Sequence, residues 1–355
     1  MLTDYLVVGS GITGATIARN LADAGKQVTV VERRSHIGGN SYDYTLNGIP
    51  VHKYGPHIFR TNNKTLWEYV KRFAKFYRYE HFVETFIDGR YENWPILGSY
   101  IERKIGKWTP EFTGVPRNFE EKCLSIMPRK VYDQFIKDYN RKMWGIPAKK
   151  LDADLINRFD IRWDEDKRMK QERYQGIPYR GWTAFFEKML EGIPVILNYD
   201  YLKNNSLRVM EKTFYTGPID EYFGFKLGKL GYRAVKQDTK FTPNVELTQP
   251  APVINYPSGN VRQVRSVEWK QMMPDGGRSI KGSVVTSEIP YTPKDPDNYQ
   301  YPFPDEKNHS LYLKYEEEAS KDKGVVFCGR LGEYRYMDMD TAMDNALKLV
   351  EEYVK

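Results

Sequence analysis

The sequence predicts an α/β protein in which the two ends of the chain build one Rossmann-like parallel-sheet domain, with a helical bundle and an antiparallel β-sheet domain inserted between them. Three observations carry this prediction. The N-terminal run Tyr5-Leu-Val-Val8 breaks into Gly9, Gly11 and Gly14 and is followed by a second apolar run, Val28-Thr-Val-Val31. A late run, Val325-Val326-Phe327, precedes Gly329-Arg-Leu-Gly332 and a last helical segment, as expected when a sheet is completed after other domains have been inserted. Between the two ends the hydrophobic period is first helical and later alternating.

A buried parallel strand reads as a continuous β-branched run, which residues 5–8 supply. Gly9 permits the tight turn, Gly11 lets backbone approach a pyrophosphate, and Gly14 lets the next helix pack close. The unpaired N–H groups and dipole at that helix start favour an anion. Ala18 and Leu21 continue the helix's apolar face, and Gly25 stops it. Glu32 ends the second strand, close to the ~20-residue spacing at which a carboxylate accepts ribose hydroxyls. A glycine turn alone can serve merely to close a strand against a helix. Gly38-Gly39-Asn40 adds a second glycine pair that NAD enzymes do not need. Together these positions resemble the extended signature of FAD proteins, so FAD is the expected cofactor. Farther on, Phe82 to Trp94 and residues 241–290 alternate and carry β-branched and aromatic residues, predicting antiparallel strands. Residues 96–190 are mostly helical in pattern: Pro128 opens a helix, Tyr132, Phe135, Tyr139 and Met143 recur near 3.6 spacing, and Gly145-Ile-Pro147 ends it. The proline- and tyrosine-rich stretch Ile289 to Pro304 is expected to be an ordered loop.

At 355 residues, two or three domains are expected. The formal charge of +7 is interspersed, without blocks of like charge, which favours an anionic small ligand over nucleic acid or a membrane surface. The 27 tyrosines suit flat or sugar-like ligands. Cys123 and Cys328 are too few for a disulfide framework, so a reducing cytoplasm is expected and both read as packing residues. The first strand begins within a few residues, leaving no room for a signal peptide, and no apolar run approaches the roughly 18 residues of a membrane span. No Ser-His-Asp grouping, reactive cysteine or zinc-ligand spacing is visible.

Along almost its whole length the chain resembles the UDP-galactopyranose mutases. The resemblance rests on Gly38-Gly39-Asn40, His52-Lys-Tyr-Gly-Pro-His-Ile-Phe59, Met143-Trp144-Gly145, Arg173-Tyr-Gln-Gly-Ile-Pro178, Tyr215-Thr-Gly-Pro-Ile-Asp220, Val253-Ile-Asn255, Arg265-Ser-Val-Glu268 and Gly329-Arg-Leu-Gly-Glu-Tyr-Arg-Tyr336, in the family's order. It implies a FAD domain over 1–80, 190–235 and 315–355, a helical bundle over 96–189 with a mobile substrate loop near 152–168, and a sheet domain over 81–95 and 236–314. The implied reaction interconverts pyranose and furanose forms of a UDP-sugar without net redox change. N5 of reduced FAD attacks the anomeric carbon and expels UDP; the ring then opens, recloses at the other hydroxyl and recaptures UDP. A reductant such as NAD(P)H and a homodimer are implied as well.

The resemblance also assigns roles. Arg158 and Arg265 match the arginines that grip the diphosphate, Arg158 on the mobile loop Leu155-Ile-Asn-Arg-Phe-Asp160 and swinging inward with substrate. Tyr301 and Tyr336 match tyrosines that bind the phosphates, and Trp144, Tyr139 and Asn255 match positions around the uridine and sugar, although periodicity alone would read Tyr139 as bundle core. His57 completes the implied catalytic set beside the flavin ring, positioning the cofactor rather than transferring a proton. Arg330 faces the flavin, and the N–H groups opening the last helix near Met339 stabilise its reduced form. The implied FAD contacts are Gly9, Gly11, Thr13, Gly14, Glu32, Arg33, Gly38, Gly39, Asn40, His57, Ile58, Arg330, Asp338, Met339, Asp340 and Thr341.

Several positions depart from the family pattern. Arg60 stands where the mutases compared carry histidine, and arginine there is associated with enzymes that also accept UDP-N-acetylgalactosamine. Arg60 is either a donor to an acetamido carbonyl or a neutral surface exchange. Met169 and Met337 replace tyrosines, and Arg180-Gly-Trp-Thr183 replaces Gly-Gly-Tyr-Thr. This clustering points to an altered sugar or nucleotide, a deoxysugar included. From another class, a flavin oxidoreductase of the amine-oxidase type shares the nucleotide-binding motif but would consume an electron acceptor. A nucleic-acid-binding reading has only the basic charge behind it.

Overall fold

β-Branched runs from both ends of the chain meet in one parallel sheet. A computed structural model describes residues 2–354 apart from Asp160 and Asn205, and the side chains of Asn157 and Arg158 also lie outside the described residues. The sheet orders its strands Val195–Ile196, β2 (Val28–Val31), β1 (Leu2–Val8), Arg208–Tyr215 and Val325–Phe327, with every pair parallel. Helix α1 (Ile12–Asp23) and the last helix, Met339–Val350, lie side by side against it. Leu21, Val30, Phe214, Met343 and Ala346 bury their side chains between these layers. Gly25 closes α1 at φ 78°, with its own N–H on the Ala22 carbonyl and the Lys26 N–H on that of Leu21, a left-handed glycine cap.

A seven-stranded sheet forms the second layer, in the order Tyr301–Pro302, Tyr232–Pro243, Gly282–Tyr291, Arg265–Glu268, Val253–Asn255, Val83–Ile87 and Arg90–Trp94. It is antiparallel except that Val83–Ile87 runs parallel to Val253–Asn255. The expectation of a purely antiparallel sheet is corrected there, because the chain leaves the sheet after Trp94 and a distant segment returns beside it, which a crossover makes possible. The stretch 289–304 is also more ordered than a loop: one strand continues to Tyr291, a 3₁₀ turn spans Pro296–Asn298, and Tyr301–Pro302 pairs with Tyr232–Arg233.

The helical segment opens as expected. Pro128 caps Arg129–Val131, a π-helical turn follows over Tyr132–Lys137, and Asp138–Trp144 ends at Gly145 with φ 77°. Tyr132, Phe135 and Met143 are buried, while Tyr139 is half-buried and faces a cleft. Bundle and large sheet share one hydrophobic core, in which Tyr100, Phe119 and Ile136 meet Val253 and Val267. The segment expected to close the bundle lies elsewhere. Tyr174–Pro178 is the middle strand of a three-stranded antiparallel sheet with Phe59–Thr61 and Phe76–Arg78. Helix Gly181–Met189 then sends Trp182, Phe185, Phe186 and Met189 into the parallel-sheet core. There these side chains are fully buried in one cluster with residues of α1 and of the helix after Asn63. Asp43 fixes that helix start by accepting the N–H groups of Trp182 at 2.6 Å and Thr183 at 2.8 Å. A third, smaller core gathers Ile219, Tyr232, Tyr299, Tyr315 and Tyr334 under helix Glu306–Ala319.

Candidate active site

Four strand ends of the parallel sheet open onto one slot. Its walls are the turn Gly9 to Gly14, Glu32 to Arg34, Gly38 to Ser41, Thr216 to Pro218 and Gly329 to Leu331. Glycine is required at the closest approaches. A Cβ on Gly14 would lie 2.0 Å from the Gly9 carbonyl oxygen, and one on Gly39 would lie 2.8 Å from the Gly11 Cα. The result is a groove of bare backbone between strand ends and a helix N-terminus, which fits a dinucleotide pyrophosphate. Glu32 is buried, with one carboxylate oxygen accepting the Ser10 N–H at 2.9 Å and hydroxyl at 2.7 Å, and the other the Arg34 N–H at 3.0 Å. Thr13 and Asn40 also line the slot, and Asn40 accepts from the Arg34 guanidinium at 3.0 Å. Arg33 borders it, but its guanidinium is engaged by Glu221 at 2.9 Å and Asp297 at 2.8 Å.

One end of the slot adjoins a larger cleft, and His57, Arg330, Met337, Asp338 and Met339 line both. The cleft collects Arg60, Tyr139, Trp144, Asn255, Arg265, Tyr301 and Tyr336, with Ile58, Asp340 and Thr341 at the junction wall. These residues come from all three parts of the chain. Asn255, Arg265 and Glu288 form one row across three strands, paired residue to residue, so their side chains share the cleft face. Arg265 Nε donates to Glu288 Oε2 at 2.5 Å, and Glu288 is 1 % exposed. Burial pulls the Arg265 guanidinium down, but Glu288 and the phenols of Tyr139 and Tyr301 outweigh it and hold it charged. Arg330 lies 5.4 Å from the Tyr301 ring centre and 5.1 Å from that of Tyr336, the two rings being stacked on one another. Arg60 pairs with Asp338 at 3.5 Å, and Asp338 also accepts the Tyr336 hydroxyl at 3.0 Å. The Arg158 side chain lies outside the described residues, while its backbone belongs to the 3₁₀ segment Ala153–Arg158.

Three hydrogen bonds hold His57, two from its own turn and one from a distant helix. Its Nδ1–H donates to the Gly55 carbonyl at 2.7 Å, its backbone N–H to His52 Nδ1 at 2.9 Å, and its carbonyl accepts the Trp182 indole N–H at 3.0 Å. Burial pulls its pKa down to about 3, helped by His52 and the guanidinium groups of Arg330 and Arg265, so the ring is neutral with Nε2 left as an acceptor. Two cleft residues escaped the sequence reading. His81 lines the cleft and is pulled down to about 3 by burial and then by Arg60 and Arg265; nothing local marks it. Glu288 carried a signal, since an ionisable residue shares parity with the buried Val284 and Thr286 of its strand. Among the described residues no cluster suited to a metal ion occurs, and no helix is long and apolar enough to cross a membrane.

The family profile described as UDP-galactopyranose mutase matches residues 134–336, and the profile for an NAD(P)-binding Rossmann-like domain matches residues 7–73. A probable UDP-galactopyranose mutase of Klebsiella pneumoniae is 33% identical over 368 residues, spanning 99% of this chain and 94% of that protein. A dTDP-fucopyranose mutase of Escherichia coli is 30% identical over 378 residues, spanning 100% of this chain and 99% of that protein. The crystal structure of a reduced UDP-galactopyranose mutase has the same fold, with a TM-score of 0.80 at 15% identity over 100% of this chain and 94% of that one.

Proposed function

We infer the reaction from one premise: the chain belongs to the UDP-galactopyranose mutase family. It is a flavoprotein isomerase of that family, and we read it as interconverting the pyranose and furanose forms of a UDP-hexose, UDP-galactose or UDP-N-acetylgalactosamine. The observation that carries this reading is the junction of the two cavities at His57, Arg330 and Asp338, where a dinucleotide held in the slot would present its reactive end to a cleft with an arginine and two tyrosines. The slot residues would hold FAD, and when bound and reduced it supplies a nucleophilic nitrogen for the anomeric carbon.

The chain's own residues do the rest. Arg265, kept charged by Glu288, balances the charge of the departing diphosphate, and the Tyr301 hydroxyl donates to a phosphate oxygen, joined by that of Tyr336 when it exchanges Asp338 for phosphate. Neutral His57 adds no positive charge beside Arg265 and Arg330, and its pinned backbone orients the junction. The first N–H groups of helix Met339–Val350 offer a positive end to an electron-rich cofactor edge. Arg158 is the expected second diphosphate arginine, delivered by its loop. Arg60 turns its guanidinium toward the Asp338 corner of the cleft, which supports a donor role toward a sugar's C2 substituent. An external donor such as NAD(P)H would reduce the cofactor. The two unpaired cysteines suit a reducing cytoplasm, and a homodimer follows from the resemblance alone.

A second reading is favoured by the dTDP-fucopyranose mutase relative, namely a nucleotide deoxysugar as substrate. Dithionite-reduced, flavin-loaded protein is expected to convert a UDP-hexofuranose to its pyranose, and rates on UDP-galactose, UDP-N-acetylgalactosamine and a dTDP-deoxysugar rank the substrates. Inactivity on every one defeats the mutase reading; consumption of oxygen in proportion to turnover would replace it with an oxidase.

A further inference from the structure

The ammonium of Lys142 sits inside a ring of backbone carbonyls contributed by a single loop. Its Nζ lies 2.5 Å from the oxygen of Tyr256, 2.9 Å from that of Ser258, 3.0 Å from that of Val261 and 2.8 Å from that of Gln263. That loop joins strand Val253–Asn255 to strand Arg265–Glu268, so Asn255 and Arg265, both on the cleft wall, stand at its two ends. Lys142 itself belongs to helix Asp138–Trp144, which carries Tyr139 and Trp144 on the facing wall. We propose that Lys142 is a positioning residue, an internal cation that latches the helical wall of the cleft to its sheet wall. The proposal rests on the cleft being the nucleotide-sugar site.

The chemistry explains why a lysine is used. An ammonium has three donors and no acceptor, so four carbonyls saturate it, and charge-assisted bonds of this kind are about twice as strong as neutral ones. The loop's other ties lie mostly at its ends, where Val264 N–H reaches the Glu288 carbonyl at 2.9 Å and the Tyr256 hydroxyl meets that of Ser266 at 3.3 Å, while Asn260 N–H bonds the Ser258 hydroxyl at 3.2 Å. Between residues 256 and 264 its own backbone bonds are Tyr256 N–H to Val264 at 2.8 Å and Val261 N–H to Ser258 at 3.3 Å. Burial pulls the Lys142 amine down to about 8, with Asp138 one turn earlier opposing, so the carbonyl ring is what makes a charged nitrogen tolerable there. The same helix end is tied a second time. Arg233 donates to the carbonyls of Met143 at 2.6 Å and Lys142 at 2.9 Å, satisfying acceptors that a helix C-terminus leaves open.

Lys142→Met keeps most of the apolar stem and removes every donor. In the flavin-loaded protein, trypsin cleavage at the exposed Arg262 within the loop is expected to quicken about tenfold, with flavin content and spectrum unchanged. KM for the nucleotide sugar is expected to rise about tenfold while kcat stays within about twofold, since positioning of bound substrate is what weakens. In Lys142→Ala, added propylammonium is expected to reverse both effects in part, and this rescue decides the matter if the methionine variant folds poorly. Unchanged cleavage at Arg262, or a cleavage increase in the alanine variant that propylammonium leaves untouched, overturns the latch. Faster cleavage with unaltered KM overturns its link to the cleft. Wild-type protein inactive on every nucleotide sugar instead defeats the mutase reading, and the cleavage result still stands or falls by itself.

Discussion

Lowering the pH from 7 to 5 is expected to remove about 4 kcal/mol of folding stability through His52 and His81. Both are nearly inaccessible, at 4% and 6% exposed, and both are held neutral. Burial pulls each down to about 3, and for His81 the guanidinium groups of Arg60 and Arg265 add to it. The unfolded chain takes up protons below about 6.5, whereas the folded protein does so only near 3. Stability is therefore complete above pH 6.5 and lost as the pH falls toward 3. At pH 5 an unfolded histidine lies about 1.5 units below its pKa, which linkage converts to about 2 kcal/mol for each, out of a total of about 5–15 for a typical fold. His57 is left out of the sum because it is only half-buried, unlike His52 and His81. Asp220 acts in the opposite sense, since burial pushes its carboxyl up to about 6 and returns about 1 kcal/mol over the same interval. Urea unfolding of flavin-loaded protein at pH 7 and pH 5, followed by tryptophan and by flavin fluorescence, measures the loss. His52→Gln keeps an acceptor for the His57 N–H and cannot titrate, and His81→Gln likewise. The double variant should lose about 4 kcal/mol less than wild type between the two pH values. If it loses as much, the buried histidines are not the acid-labile groups and the reasoning fails.

Gly14→Ala places a methyl 2.0 Å from the Gly9 carbonyl oxygen, so the turn must open and the purified protein should carry little flavin; normal flavin absorbance would show that the turn tolerates a side chain. Glu288→Gln keeps the shape but removes the partner charge of Arg265, and losing about 1.5–3 kcal/mol of charge-assisted bonding should raise KM by about ten- to a hundredfold, with wild-type KM counting against Glu288 as its anchor. For Arg60→His the ratio of activity on UDP-N-acetylgalactosamine to that on UDP-galactose is expected to fall, because a guanidinium donor is replaced by a ring with at most one or two; an unaltered ratio removes Arg60 from the specificity argument.

Legibility in the sequence tracks the range of the physics. Gly9, Gly11 and Gly14 announce a turn because backbone clearance is decided within a few residues. Pro128 and Gly145 bound a helix for equally local reasons. The assignment of Gly181–Met189 to the bundle failed because a helical period says which face is apolar and not which core receives it. Tyr139 shows the same limit from the other side: its spacing matches bundle core, yet the π-helical turn just before it shifts the helix so that the ring lines the cleft. His81 stayed hidden because its neighbours, Arg60 and Arg265, come from strands far away in the chain.

The sequence by itself determined a dinucleotide turn at the first strand end, an acidic residue after the second, and a chain whose two ends belong to one parallel sheet. Those features are steric and short-ranged, so they survive without knowledge of the fold. Only the tertiary structure decided that the dinucleotide slot opens at His57, Arg330 and Asp338 into the cleft of Arg265, that Glu288 holds that arginine charged, and that Lys142 closes the loop between Asn255 and Arg265. These depend on strand register and on which elements share a core, and a one-residue slip in register would turn Asn255, Arg265 and Glu288 to the other face of the sheet.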